Sequence, residues 1–420
     1  MPHMSKFLFG AIAGAVIFGG VLFDYARKPA IIAMDVYEEA GKQKTKTKKT
    51  IEERVAEARQ KSENRKGVYM SYEVATDRGV AATRLRENIF KLFDETELNA
   101  VVIDVKEVRG TTVSDGLRDA VQVLHEKNVW VIARMTMMRD NSQIKTHPEF
   151  YIRRADGNFW RDNKGNAWLD PAHRKAWEYN AGEAKKAIDI GFDEIQYDYV
   201  RFPSDGNMNN ISYPAYNAKT QKYEIIKNFL AFMNRELKSY KPEIILSADL
   251  FGYVAVQIND FSIGQRLIDM GDSVDYLSLM VYPSHYYSGF YVPSDLVRGL
   301  PSILIPYKDS DSKKTVSNQP YDVIYRSMLI AGDVLSGKAT TTKTGSFVVA
   351  TSTVAITPIS RAKMRPWLQD FDLGVDKARG IYYDVAKVKA QIKASEDAGT
   401  SGWLLWNSSN VYTKEALRAE

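Results

Sequence analysis

Two stretches of the 420-residue chain each end on an aspartate that side-chain alternation would aim inward. In GFDEIQYDYVRFPSDG, residues 191–206, Glu194, Gln196 and Asp198 share one face of a strand while Ile195, Tyr197 and Tyr199 share the other. In EIILSADLFGYVA, residues 243–255, Ile245, Ser247 and Asp249 share a face, and Asp249 closes the strand. An inward carboxylate at a strand end needs a partner or a task, because burying an unpaired charge is costly. Two such carboxylates on consecutive strands could flank one point. That is the requirement for breaking a glycosidic bond, with one acting as nucleophile or base and the other as acid. A separation of about 5–5.5 Å goes with retention at the anomeric carbon and about 6.5–9.5 Å with inversion.

Gln196 and Arg201 of the first stretch are candidates for binding, as are other polar residues at the ends of apolar runs. Asp104 and Lys106 lie in NAVVIDVKEVRG, Arg134 in VWVIARM, and Tyr282 and His285 in YPSHYY. Gln369 lies in RPWLQDF, and Trp406 and Asn407 in GWLLWNSSN. A purely structural role is the competing reading for each; Asp198, for one, could be neutralised by Arg201 or Lys106 and simply brace the mouth. The aromatic residues Trp160, Trp168, Tyr282, Tyr286, Tyr287 and Trp406 lie beside polar groups. Flat rings next to hydrogen-bonding groups suit sugars, whose faces are apolar and whose edges are hydroxylated. Nothing in the sequence calls for a cofactor or metal: there is no cysteine, and the five histidines form no HExxH pair.

These residues need a scaffold, and the sequence supplies eight short apolar runs: 67–72, 99–105, 129–135, 192–199, 243–249, 274–282, 364–370 and 401–406. Amphipathic stretches such as 83–95, 115–127, 174–190, 223–240, 321–335 and 385–398 separate them. Strands alternating with helices predict an α/β fold with a parallel sheet, and eight repeats predict a (β/α)8 TIM barrel with insertions. An open doubly wound sheet is the main competitor, but no GxGxxG or GxxxxGK[ST] follows any strand. The long connections 136–173, 200–220 and 283–318 follow strands, which places them on the C-terminal face where barrel sites are built. The Thr/Ser/Val-rich segment 336–360 follows a helix and is expected as an insertion on the opposite face.

The charge is unevenly placed. Residues 1–66 hold 13 Lys+Arg and 8 Asp+Glu, whereas residues 67–420 hold 44 of each. An electrically balanced main domain argues against nucleic acid as a partner. From Phe7 to Phe23 the sequence is unbroken apolar residues and glycine, long enough to cross a bilayer. The expected organisation is a signal anchor or transmembrane segment (1–28), a Lys-rich linker ending in a polar helix (29–66), and the barrel (67–420). The linker reads as a solvated spacer, with contact to anionic lipid as the alternative. The barrel is expected outside the cytoplasm on a single-pass anchor, or secreted after cleavage near Ala26 or Ala30.

The segments NAVVIDVKEVRG, VWVIARM, WLDP, DEIQYDYVRFPSDG, ILSADLFG, VDYLSLMVYPSHY, RPWLQDF and GWLLWNSSN carry a resemblance. Together they resemble a bacterial family of uncharacterised TIM-barrel domains grouped with the glycoside hydrolases, distantly related to the α-amylase-like superfamily. The likeness runs from about Gly67 to Tyr412. It implies a nucleophile at the end of strand four, here Asp198, and an acid/base after strand five, where Asp249 stands instead of the usual glutamate. Gln196 replaces the arginine usual two residues before the nucleophile, which leaves Arg201 or Lys106 to supply the missing cation. Gln369 and Asp370 stand where a His-Asp pair is usual. The implied activity is a glycosidase acting on a cell-envelope or environmental polysaccharide. The alternative is a non-catalytic glycan-binding or scaffold protein on a degenerate barrel.

Overall fold

Eight strands of the computed structural model occupy the eight apolar runs: β1 (Arg65–Met70), β2 (Ala100–Glu107), β3 (Trp130–Thr136), β4 (Glu194–Asp198), β5 (Ile245–Phe251), β6 (Tyr276–Met280), β7 (Trp367–Gln369) and β8 (Gly402–Trp406). Residues 49–257, 259–340, 349–350 and 360–419 are described. Each strand pairs in parallel with the next, and β1 pairs with both β2 and β8, so the sheet closes into a barrel. Closure rules out the open doubly wound sheet. The seventh strand is interrupted: Lys363–Met364 pairs with β6, and Arg365 and Pro366 separate it from Trp367–Gln369. Proline has no N–H to give the ladder, which accounts for the break.

Helices α1 (Ile51–Lys61), α2 (Val80–Glu95), α3 (Asp115–Glu126), α4 (Arg174–Ile190), α5 (Lys222–Tyr240), α6 (Leu267–Met270), α7 (Pro320–Leu335) and α8 (Val385–Asp397) accompany them. Their starts are written in the sequence. The Ser114 hydroxyl accepts from the Leu117 N–H, Asp384 accepts from Lys387, and Gln221 with Glu224 forms a capping box. Outward-facing strand residues such as Val101, Ile103, Ile195 and Leu246 pack on the helices. A separate cluster with Val102, Ile132, Ile245, Trp367 and Leu404 fills the barrel interior.

The apolar run 7–23 and most of the Lys-rich linker lie outside the described residues. Among the described residues no helix is long and apolar enough to cross a membrane. Of the 336–360 insertion, Ala339–Thr340 pairs antiparallel with Val349–Ala350. The polar helix expected to end a solvated spacer instead joins the N-terminal face of the barrel. Arg54 of α1 pairs with Glu243 at 3.0 Å, and Ala58 packs against the interior cluster. Just past α1, the Ser62 and Tyr276 hydroxyls are 2.8 Å apart.

That end of the barrel is held by a buried ion pair. Arg365 Nη1 donates to both oxygens of Glu194, at 3.1 and 2.9 Å, and both side chains are fully buried. Trp130 Nε1 donates to Glu194 at 3.1 Å, Arg365 Nη2 donates to the Ser62 carbonyl at 2.7 Å, and the guanidinium lies over the Tyr276 ring. Removing one member of a buried pair strands the other charge, whereas removing both leaves packing to recover. Glu194→Leu is therefore expected to lower stability by about 3–5 kcal/mol. Denaturant unfolding of Glu194→Leu/Arg365→Met is expected to return most of that loss; an additive double mutant would contradict the role of the pair.

Candidate active site

Alternation along β2, β3, β4 and β5 delivers Asp104, Arg134, Asp198 and Asp249 to the C-terminal mouth of the barrel. Register decides which of them meet. Asp104 pairs with Arg134, and Arg134 with Gln196, so the arginine stands between two carboxylates. Its Nε donates to Asp198 Oδ2 at 3.0 Å, its Nη2 donates to the same oxygen, and its Nη1 donates to Asp104 Oδ1. Burial opposes the charge on Arg134, but Asp104, Asp198 and Asp249 together hold its guanidinium well above the usual range. Asp104 is fixed from behind by the Tyr69 hydroxyl, which donates to Oδ2 at 2.5 Å. The other Asp198 oxygen accepts from the Tyr199 N–H at 2.6 Å, and Tyr199 takes a left-handed φ of +50° to give it. A non-glycine residue in that region costs on the order of 1 kcal/mol or more, and such strain gathers at functional sites.

Asp249 is treated in the opposite way. It is 1% exposed and accepts one hydrogen bond, from Trp367 Nε1 at 2.8 Å. Burial, reinforced by the charge on Asp198, pushes its carboxyl well above the usual carboxylate range, against the pull of Arg134 and the Trp367 hydrogen bond. Tyr197 pairs with Ala248, so one further step along both strands sets Asp198 beside Asp249. The two carboxyls differ in environment: one is held by a cation and a backbone N–H, the other is buried beside an indole. Pairs divided in this way supply an acid and a base at one pH.

Both aspartates open on a cleft of about 540 Å³. Of the residues expected to bind, Arg134, Arg201, Tyr282, His285 and Trp406 line it. Trp406 lies against Tyr69 and Trp367, with the Arg134 guanidinium 5.1 Å from its ring. Burial draws the His285 imidazole below its usual range and raises the Tyr282 phenol. Asp104 does not reach the cleft and acts through Arg134.

Four expected residues lie elsewhere. A register shift in β2 between Asp104 and Lys106 breaks the period-two alternation, and Lys106 leaves the interior. Its ammonium meets Asp140 at 2.8 Å and the Thr136 carbonyl at 2.6 Å instead. Gln196 faces inward but one layer below the mouth, donating to Ser278 at 3.2 Å. The Gln369 side chain accepts from the Ser284 hydroxyl at 2.8 Å and donates to the Phe371 carbonyl. Asn407 donates to the Asp370 and Val411 carbonyls, closing its own loop. Neither Lys106 nor Arg201 supplies the cation for Asp198; Arg134 of the neighbouring strand does. Trp160 and Trp168 are buried beneath the loops.

Sequence reasoning missed Tyr199, Phe251, Tyr253 and Trp367, which also line the cleft. Trp367 was accessible, since it shares the inward face with Gln369. Gly252 completes the wall where any Cβ would lie 2.6 Å from the Met280 carbonyl and 2.8 Å from the Tyr286 hydroxyl. Among the described residues no group of three or more His, Asp or Glu side chains could hold a metal ion.

Solved structures include several similar chains, and the first of those below shares the architecture. The glycoside hydrolase domain of PgaB (BpsB) from Bordetella bronchiseptica is 11% identical, with a TM-score of 0.53 over 83% of this chain and 95% of that one. A hypothetical protein from Ruminiclostridium thermocellum is 28% identical, covering 47% of this chain and 98% of its own, with a TM-score of 0.37. An α-galactosidase from Thermus thermophilus, solved with stachyose, is 12% identical over 88% of this chain and 68% of its own, with a TM-score of 0.45. No curated protein matches the sequence. The family model described as "putative glycosyl hydrolase domain" matches residues 67–412, from the middle of β1 to past β8. With nearly all of the barrel and both mouth aspartates inside that match, the chain belongs to the family so described.

Proposed function

We propose that the chain hydrolyses O-glycosidic bonds in a cell-envelope or environmental polysaccharide, with Asp198 as nucleophile and Asp249 as acid/base. The observation that carries this reading is the pairing of the two aspartates on adjacent strands with opposite environments, at one cleft. Neighbouring strands lie about 4.8 Å apart, which supports the closer, retaining separation over the inverting one. In the first step Asp249 gives its proton to the glycosidic oxygen as the C–O bond breaks, and an Asp198 oxygen bonds to the anomeric carbon. In the second step water attacks that carbon, releases Asp198, and returns a proton to Asp249. Trp406, Tyr282 and Trp367 supply the flat faces on which a sugar ring rests. The run 7–23 would hold the barrel at the outer side of a membrane. Protease access from outside the cell, with the N-terminus intact, is the expected result; a mature N-terminus near Ala26–Ala30 would indicate secretion.

Assay of a glycan panel with the wild type, Asp198→Asn and Asp249→Asn tests the assignment. Each substitution is expected to lower kcat by about 10²-fold or more while glycan binding persists. Undiminished turnover in either variant would overturn that residue's role, and binding without turnover by the wild type would favour the non-catalytic reading. The raised Asp249 carboxyl also predicts a stability signature. Its folded state holds the proton to higher pH than its unfolded state, so it loses relative stability as pH rises above the ordinary carboxylate range of about 4. Asp249→Asn is therefore expected to raise Tm at neutral pH, with the gain vanishing below about pH 4. A pH-independent difference would contradict the shift.

A further inference from the structure

Arg201 is a cleft cation that the two-carboxylate reading leaves without a task. It stands three residues past Asp198 and is 6% exposed. Only its Nη1 is hydrogen-bonded, to the Phe202 carbonyl at 3.0 Å and the Ser204 hydroxyl at 3.2 Å. Nε and Nη2 have no hydrogen-bond partner among the described residues. Three rings surround the guanidinium, Phe251 at 4.7 Å, Trp168 at 4.9 Å and Tyr199 at 5.2 Å. Burial draws it below its usual range, Tyr199, Asp198 and Asp205 pull the other way, the two aspartates from beyond ion-pair distance, and Arg139 opposes them. A second cation, Lys164, reaches the same cleft from the loop after β3; its own backbone N–H is held by Asp162, and its ammonium has no ion-pair partner among the described residues.

The charge balance of the cleft makes this asymmetry meaningful. Arg134 is matched by Asp104 and Asp198, and the burial of Asp249 favours its neutral form. Arg201 and Lys164 are then the unmatched charges of the lining. A buried guanidinium with two free donors, lying against flat rings, is built to receive a planar anion in two parallel hydrogen bonds.

We propose that Arg201, assisted by Lys164, selects an acidic glycan by binding a carboxylate carried on a sugar next to the scissile bond, as in a uronic acid. This rests on the glycosidase reading and names its substrate class. Carboxylate recognition here is a matter of binding, separate from the chemistry at Asp198 and Asp249.

The test uses the full chain with uronate-containing oligosaccharides and the same oligosaccharides after reduction of the carboxyl to a primary alcohol. Calorimetry on the Asp198→Asn variant separates binding from turnover. At least one uronate is expected to bind about ten- to a hundredfold more tightly than its reduced twin. Arg201→Lys, which keeps charge but loses the paired donors, is expected to erase most of that preference. Lys164→Gln, at an exposed position where folding is not at stake, is expected to weaken uronate binding about two- to tenfold and leave the reduced twin unchanged. In the wild type these changes should appear in KM and not in kcat. Equal binding of both members of every pair, binding of neither, or a preference that survives both substitutions would overturn the proposal. Uronate-selective binding with no cleavage of any glycan would instead overturn the glycosidase reading and leave the recognition intact.

Discussion

The mouth of this barrel depends on one guanidinium. Arg134 binds Asp104 on one side and Asp198 on the other, so three side chains from three consecutive strands are locked as a single charged unit. Without it, two carboxylates would stand buried in repulsion near a third. With it, Asp198 receives two arginine N–H groups and the Tyr199 N–H, a set of donors suited to an ionised carboxylate. After burial, Asp198 is in turn the second cause that raises the Asp249 carboxyl. The arginine therefore divides labour between two chemically identical groups.

The rest of the molecule serves to hold that arrangement still. The opposite end of the barrel repeats the device with Glu194 and Arg365, sealed by Trp130, Tyr276 and the segment after α1. Between the two ends, apolar residues and the Gln196–Ser278 hydrogen bond fill the interior. The loops after β4, β5 and β6 contribute Arg201, Tyr253 and His285 to the walls of the cleft. Functional variation can thus be carried by loops while the strand ends keep their register.

How much of this could be read from the residues differs by level. The eight strands were legible because each is a short apolar run and most are followed by an amphipathic stretch. Closure followed from the eight strand–helix repeats, and the inward face of β4 and β5 from period-two alternation. Three things were hidden. A β-bulge after Asp104 is invisible in a pattern that assumes strict alternation, so Lys106 is expected at the site and lies outside it. Depth along a strand is a matter of register, so Gln196 is on the right face but in the wrong layer. The partner of Asp198 lies on a different strand, and only pairing between strands reveals that Arg134 stands where the resemblance to the α-amylase-like pattern expects an arginine at Gln196. Docking of the polar helix α1 was hidden because its sequence, IEERVAEARQK, is dominated by charge and buries no residue fully.

In the proposed mechanism Asp198 forms a covalent bond to the sugar while Asp249 shuttles the proton. Peptide mass mapping of the chain after reaction with a panel of 2-deoxy-2-fluoroglycosides, which slow breakdown of a glycosyl-enzyme, tests it directly. A glycosyl adduct is expected on the peptide carrying Asp198 and none on the peptide carrying Asp249. An adduct on Asp249, or cleavage of a natural glycan with inversion at the anomeric carbon, would contradict it.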